Sequence, residues 1–265
     1  MSTAPSTFAI RGIELASDPA REPCFQVVHL HTDLMDLAGM DAPARRQRLH
    51  RHMHNEMQNL EIAAQTLADF PDAPWEVRLQ IARQCWDESR HAALVHRRLL
   101  AHGGRKGEFP VMNYEWGVVC RMDSLAARLA LQNRSFEAGE MDLLRHLQRE
   151  WIAAGDGETA AVYDAILADE VNHVRYANRW LQRECRERPR TAFEVAKAVM
   201  FLQRVTAAMA PQPGDKNAAG VDLGGWTHLD VMCNVADRRL AEFSDAEIHE
   251  VLRREGLGSL APKEP

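Results

Sequence analysis

Glu-x-x-His occurs twice in this chain, as Glu88-Ser-Arg-His91 and Glu170-Val-Asn-His173. A glutamate precedes each copy by about one helical hairpin: Glu56 lies 32 residues before Glu88, and Glu137 lies 33 before Glu170. Residues three apart share a helix face, so each motif presents one carboxylate and one imidazole in the same direction. Four helices carrying Glu, Glu-x-x-His, Glu and Glu-x-x-His can enclose two metal ions at the centre of a bundle. With 21 glutamates and 12 histidines in 265 residues, random placement yields about one Glu-x-x-His, so a lone copy carries little weight. The weight rests on the partnered glutamates at matched distances and on the apolar helical setting of all four segments.

The chain has room for the fold this requires. Its 265 residues, 46% apolar, suffice for a sizeable core. A formal net charge of −6 gives no basic footprint, so neither nucleic acid nor an anionic membrane is an expected partner. The five cysteines are scattered, odd in number and without a Cys-x-x-Cys pair, which argues against a disulfide framework, a zinc ribbon and a rubredoxin-like module. Neither a signal peptide nor a run of ~20 apolar residues is evident, and the expected location is the cytoplasm.

Residues 1–40 read as an N-terminal arm, with Thr7–Leu15 and Phe25–His29 flanking a turn-rich stretch as a short hairpin or extended segment. Residues 41–186 read as an antiparallel four-helix bundle. The first helix begins at Asp41 and ends near Phe70, and the second opens at Pro74 and runs to about Ala101. After a segment around Tyr114, the third spans roughly Met122 to Ala154. Gly155 and Asp156 supply a C-terminal glycine and an N-cap before a fourth helix to about Cys185. Residues 187–265 form a helical extension: a helix over Ala192–Ala210, a loop rich in Pro and Gly, helical patterns over Thr227–Phe243 and Ala246–Arg254, and a disordered tail. The expected class is therefore all-α.

Helix lengths put the motifs at one level. Glu56 lies 14 residues before Phe70, and Glu88 lies 14 after Pro74. At 1.5 Å per residue both legs are about 21 Å long, so the two carboxylates meet across the first hairpin. Glu170 likewise lies 14 residues after Asp156, but counting 14 back from Ala154 reaches Glu140, one turn from Glu137. Both are candidates on the third helix.

The neighbours of these residues are mostly apolar: Met53, Leu60 and Ala63 beside Glu56, Ile81 and Val95 beside Glu88 and His91, and Ile166, Leu167 and Val174 beside Glu170 and His173. Buried carboxylates crowded at one level repel one another unless cations are present, and two ferrous ions would supply that charge. Asp87 and Asp169 precede the two motif glutamates and suit carboxylates that hold the outer ring nitrogen of a ligating histidine; the plainer alternative is a solvated acid. Glu140 reads either as a further ligand or as a surface acid. Tyr163, two turns before Glu170, reads either as a hydrogen-bond donor or one-electron relay, or as core. Small residues at Ala126 and Ala130 mark either a channel toward the site or close helix packing. Arg90, Arg134 and Arg175 can pair with a substrate carboxylate, or with Asp87 and Asp169.

These motifs resemble the ferritin-like diiron superfamily, which includes rubrerythrins, bacterioferritins and diiron oxygenases. The resemblance implies Glu56, Glu88, His91, Glu137, Glu170 and His173 as ligands of two iron ions, or of a mixed manganese–iron pair. Glu140 resembles the additional glutamate of rubrerythrins. More closely, His54-Asn-Glu-Met-Gln-Asn-Leu-Glu61, Phe70-Pro-Asp-Ala-Pro74, Asp87-Glu-Ser-Arg-His91, Phe136-Glu137 and Asp169-Glu-Val-Asn-His-Val-Arg175 look like an uncharacterised bacterial family of ferritin-like proteins. That likeness covers about residues 40–185.

Three activities fit such a centre. The expected one is an O2-dependent diiron oxidase or monooxygenase that oxidises a small organic metabolite with an external electron donor. A rubrerythrin- or ferritin-like role in peroxide reduction or iron handling is the second, and a tRNA-modifying hydroxylase the third; the acidic charge argues against the latter. The additions at both ends suit a covered pocket better than a cage, so the expected assembly is a monomer or small homo-oligomer.

Overall fold

The computed structural model describes residues 6–223 and 233–254. The architecture is all-α with one small hairpin: strands β1 (Thr7–Ile10) and β2 (Ile13–Ala16), then helices α1 (Ala42–Asp69), α2 (Trp75–Ala101), α3 (Tyr114–Val119), α4 (Leu125–Leu131), α5 (Ala138–Ala153), α6 (Gly157–Glu187), α7 (Pro189–Met209), α8 (Val235–Leu240) and α9 (Asp245–Arg254). A π-helical turn, Gln132–Glu137, joins α4 to α5, so the third long helix of the bundle is continuous but widened in its middle.

Local chemistry sets the helix ends. The Asp41 side chain accepts from the Ala44 amide, and Pro43 sits in the first turn of α1, where its missing N–H costs nothing. The Asp156 side chain likewise caps α6 by accepting from the Thr159 amide at 2.9 Å, and Gly155, at φ +77°, reverses the chain before it. Asp156 also accepts from Arg98 and His102 of the α2 end, tying the two hairpins together.

Along α2, Val77, Ile81, Gln84, Glu88, His91, Val95 and Leu99 are buried at a three–four spacing that keeps one face inward over the whole helix, with Asp87 buried beside them. The same spacing in α6 buries Tyr163, Ile166, Glu170, His173, Ala177 and Leu181. Leu49 and Met53 of α1, Val95 and Leu99 of α2, Met141 and Leu144 of α5, and Ile166 and Val174 of α6 share one core. The four long helices therefore face a common interior, and the acidic and imidazole side chains sit midway along it. Around the bundle, α7 packs on α4 and α8 on α5 and α6. Asp142 of α5 anchors α8 through Arg238 at 2.6 Å, and Asn178 of α6 donates to the Ala241 carbonyl.

Three expectations need correcting or bounding. The hairpin turns at Arg11–Gly12, inside the first of the two segments expected to flank it, because both residues adopt positive φ, as a two-residue hairpin turn requires. Residues 25–29 contribute only a bridge between Val27 and Val111. At the other end, the helix expected over Thr227–Phe243 is a short one at Val235–Leu240; its first residues, and the tail after 254, lie outside the described residues. Among the described residues no helix is long and apolar enough to cross a membrane.

Candidate metal centre

Glu56, Glu88, His91, Glu137, Glu170 and His173 converge in the middle of the bundle. Glu56, Glu88, Glu137, Glu170 and His91 are fully buried, and His173 is 2% exposed. They form two overlapping quartets, Glu56–Glu88–His91–Glu170 and Glu88–Glu137–Glu170–His173. In each, one ligand atom per residue lies within 4.8 Å of the others, so either set could hold a metal ion.

Glu88 and Glu170 belong to both quartets and divide their oxygens between them. Glu88 sets Oε2 3.2 Å from Nδ1 of His91 and Oε1 3.4 Å from Nδ1 of His173. Glu170 sets Oε1 3.5 Å from His91 and Oε2 3.4 Å from His173. Each shared glutamate thus faces both histidines, one oxygen toward each.

Each histidine turns its other nitrogen to an aspartate of the opposite helix. Nε2 of His91 lies 3.2 Å from Asp169, and Nε2 of His173 lies 3.3 Å from Asp87. Arg90 donates to both aspartates, at 2.9 Å to Asp87 and 2.6 Å to Asp169. These carboxylates fix the ring orientation and leave Nδ1 of each histidine facing the centre.

The π-helical turn positions Glu137. In a regular helix residues five apart diverge by about 140°, but the wider turn brings i and i+5 together. Gln132 thus donates to Glu137 Oε1 at 3.2 Å while Asn133 donates to Oε2 at 2.8 Å. Gln84, held by the Tyr176 hydroxyl, donates to Glu137 from α2.

The electrostatics call for a cation. Both oxygens of Glu56, both of Glu170 and Nδ1 of His173 are buried without a hydrogen-bond partner. Burial, and then the charge of Glu170, push the Glu88 carboxyl up to about 8. The same two causes hold Glu137 well above the ordinary carboxylate range. Burial opposes the charge on His91, yet Asp169, Glu56 and Glu88 together raise its pKa. Crowded acids that retain protons, beside orphaned oxygens aimed at shared points, are what a set of metal ligands looks like without its metal. The donor set fits a bound metal ion.

The remaining candidates fall around this centre. Glu140, one turn after Glu137, is excluded from both quartets but forms a third acidic set with His52 and Glu56. Tyr163 is buried, its ring 4.9 Å from that of His52. His52 and Tyr163 also line a cavity of about 380 Å³ that Leu143, Leu147, Asn55 and Arg48 help enclose. Of the two alternatives for Ala126 and Ala130, close helix packing fits: both are buried in an apolar cluster with Val77, Ile81 and Leu181, where their small size lets helices pack closely. Arg134 and Arg175 do not reach the centre, pairing instead with Glu247 and Asn172.

The further side chains His52, Gln84, Gln132 and Asn133 belong to the site although the motifs do not name them. His52 and Gln84 each precede a ligand glutamate by four, a face-sharing interval that marks them. Gln132 has no such signal, because its approach depends on the π-helical turn. Burial and then the charges of Glu56 and Glu170 raise the carboxyl of Glu115 on α3 to about 7.

Comparison with known proteins matches residues 6–249 to the family described as protein of unknown function, DUF455, and the chain belongs to that family. An uncharacterized protein of Haemophilus influenzae is 27% identical over 128 residues, which is 48% of this chain and 43% of that relative. The match thus spans less than half the length of either protein. No solved structure matches the chain.

Proposed function

We propose that this member of the DUF455 family is a ferritin-like diiron oxidoreductase that uses O2 to oxidise a small organic molecule. The observation that carries the reading is the buried pair of quartets sharing Glu88 and Glu170, with His52, 2.8 Å from Glu56, on the wall of a cavity of about 380 Å³. A bound iron pair supplies O2 reduction, chemistry that no protein side chain provides. In a monooxygenation, one oxygen atom enters the substrate and the other leaves as water, with two electrons and two protons from an external donor.

The chain's own residues do the rest. Glu88 and Glu170 hold the two halves of the centre in register, and Asp87 and Asp169 orient the imidazoles. Gln84, Gln132 and Asn133 hold Glu137, and the enclosing core keeps bulk water out. Leu143, Leu147 and the Tyr163 ring give the cavity an apolar wall suited to a small organic body. Burial raises the pKa of Tyr163, so its hydroxyl stays protonated as a neutral phenol.

A second reading, rubrerythrin-like peroxide reduction, is favoured by Glu140, whose Oε1 lies 3.9 Å from His52 beside the first quartet. One experiment separates the two. Protein loaded with ferrous iron under nitrogen is given O2 or peroxide, a reductant and a panel of small organic compounds, while O2 uptake and products are followed. The oxygenase reading expects O2 uptake that increases with one class of compound and yields its oxidised product. Rapid peroxide turnover with no effect of any compound would replace it with the second reading.

A further inference from the structure

Glu56 turns one oxygen toward the dinuclear set and the other away from it. Oε2 lies 3.5 Å from Nδ1 of His91, whereas Oε1 lies 2.8 Å from Nε2 of His52, one turn earlier on α1. Close as it is, the His52 contact lacks hydrogen-bond alignment. Nε2 of His52 and both Glu56 oxygens are buried with no hydrogen-bond partner. His52 is 7% exposed. A nitrogen and an oxygen this close, without an aligned hydrogen bond, are placed to share a cation.

Glu140 completes the set from α5. Asn59 donates to its Oε2 at 3.4 Å, leaving Oε1 3.9 Å from Nδ1 of His52. One ligand atom from each of His52, Glu56 and Glu140 lies within 4.8 Å of the other two. One imidazole and two carboxylates suit ferrous iron, manganese or zinc, with the remaining coordination positions open to water from the adjoining cavity.

We propose that His52, Glu56 and Glu140 hold a third divalent cation at the inner end of the cavity, linked to the dinuclear centre through the two oxygens of Glu56. The link to that centre rests on the dinuclear reading; the third position itself rests on these three residues. It stands between the cavity and the closed pair of quartets, facing the side from which an ion or substrate approaches.

Equilibrium dialysis against ferrous iron under nitrogen, with iron counted per chain, tests this. The wild-type chain should retain three ions, and Glu140→Gln and His52→Gln two each, with the helical circular dichroism of the wild type. Two variants on different helices guard against the failure of one to fold. Two ions in all three proteins would overturn the third position and leave the dinuclear centre standing. Three ions in both variants would overturn the assignment to these residues, and none in a folded wild type would remove both readings together.

Discussion

Asp169 of α6 holds the outer nitrogen of His91 on α2 at 3.2 Å, and Asp87, beside Glu88 on α2, does the same for His173 on α6 at 3.3 Å. The two braces cross between the helices that also supply both shared glutamates, and Arg90 clamps their carboxylates together. Each Glu-x-x-His therefore depends on the residue preceding the glutamate of the other copy. An aspartate in that position raises ligand basicity and fixes the nitrogen that meets the metal. Asp169→Asn or Asp87→Asn should weaken ferrous binding about 10–100-fold without changing the number of sites. Competition against a chelator of known affinity measures it, and wild-type affinity in both variants would show that the aspartates only brace the helices.

The division of oxygens between the quartets predicts an asymmetry among the glutamates. Glu170→Gln should weaken both ions of the dinuclear centre together, because both quartets use Glu170. Glu137→Gln should weaken one and spare the other, because Glu137 belongs to the His173 quartet alone. Ferrous titrations resolved into separate binding classes would show the difference; identical isotherms would contradict the assignment.

Much of this arrangement is legible in the order of the residues alone. Spacing of three and four places Glu56, Glu88, His91, Glu170 and His173 inward, and the helix breaks at Phe70–Pro74 and Gly155–Asp156 set them at one level. Those signals are local and follow directly from helix geometry. Glu137 and Glu140 stay one turn ambiguous because the π-helical turn at Gln132–Glu137 changes the helical register, and a regular repeat cannot reveal that. The cross-pairing of Asp87 and Asp169 depends on how α2 faces α6, a tertiary relationship that no spacing along one helix encodes. Ala126 and Ala130 are small in either a channel or a close contact, and only the neighbours Val77, Ile81 and Leu181 decide between them.

Proton linkage gives a further prediction. The Glu88 carboxyl titrates near 4.5 when unperturbed and at about 8 in the folded chain. Between these values the metal-free folded chain keeps a proton that the unfolded chain has lost. Its contribution to stability is complete below 4.5 and disappears as pH rises through about 8. Measured against Glu88→Gln, which cannot titrate there, the metal-free wild type should lose relative stability from pH 5 to pH 8, by no more than about 1.4 kcal/mol per pH unit. Ferrous binding must expel the same proton, so affinity should rise over the same interval. A flat difference in urea denaturation across that range would contradict the buried, protonated state of Glu88.

The cavity and the small-residue stripe should respond differently to added bulk. Leu147→Trp, on the cavity wall, should cut oxidation of an identified substrate at least tenfold while leaving ferrous stoichiometry unchanged. Ala130→Leu forces a larger side chain into a closed apolar cluster and should destabilise the fold by about 1–3 kcal/mol in urea denaturation. If Ala130→Leu instead blocked turnover at full stability, the approach to the centre would run along α4 after all.

The most direct test is diffraction at the iron edge from crystals of chain loaded with ferrous iron under nitrogen. A dinuclear centre predicts two anomalous peaks about 3.5–4 Å apart, the spacing of two-metal sites. One should lie among Glu56, Glu88, His91 and Glu170, the other among Glu88, Glu137, Glu170 and His173, with Glu88 and Glu170 spanning both. A single peak, or none among these six residues in a folded and loaded crystal, would contradict it.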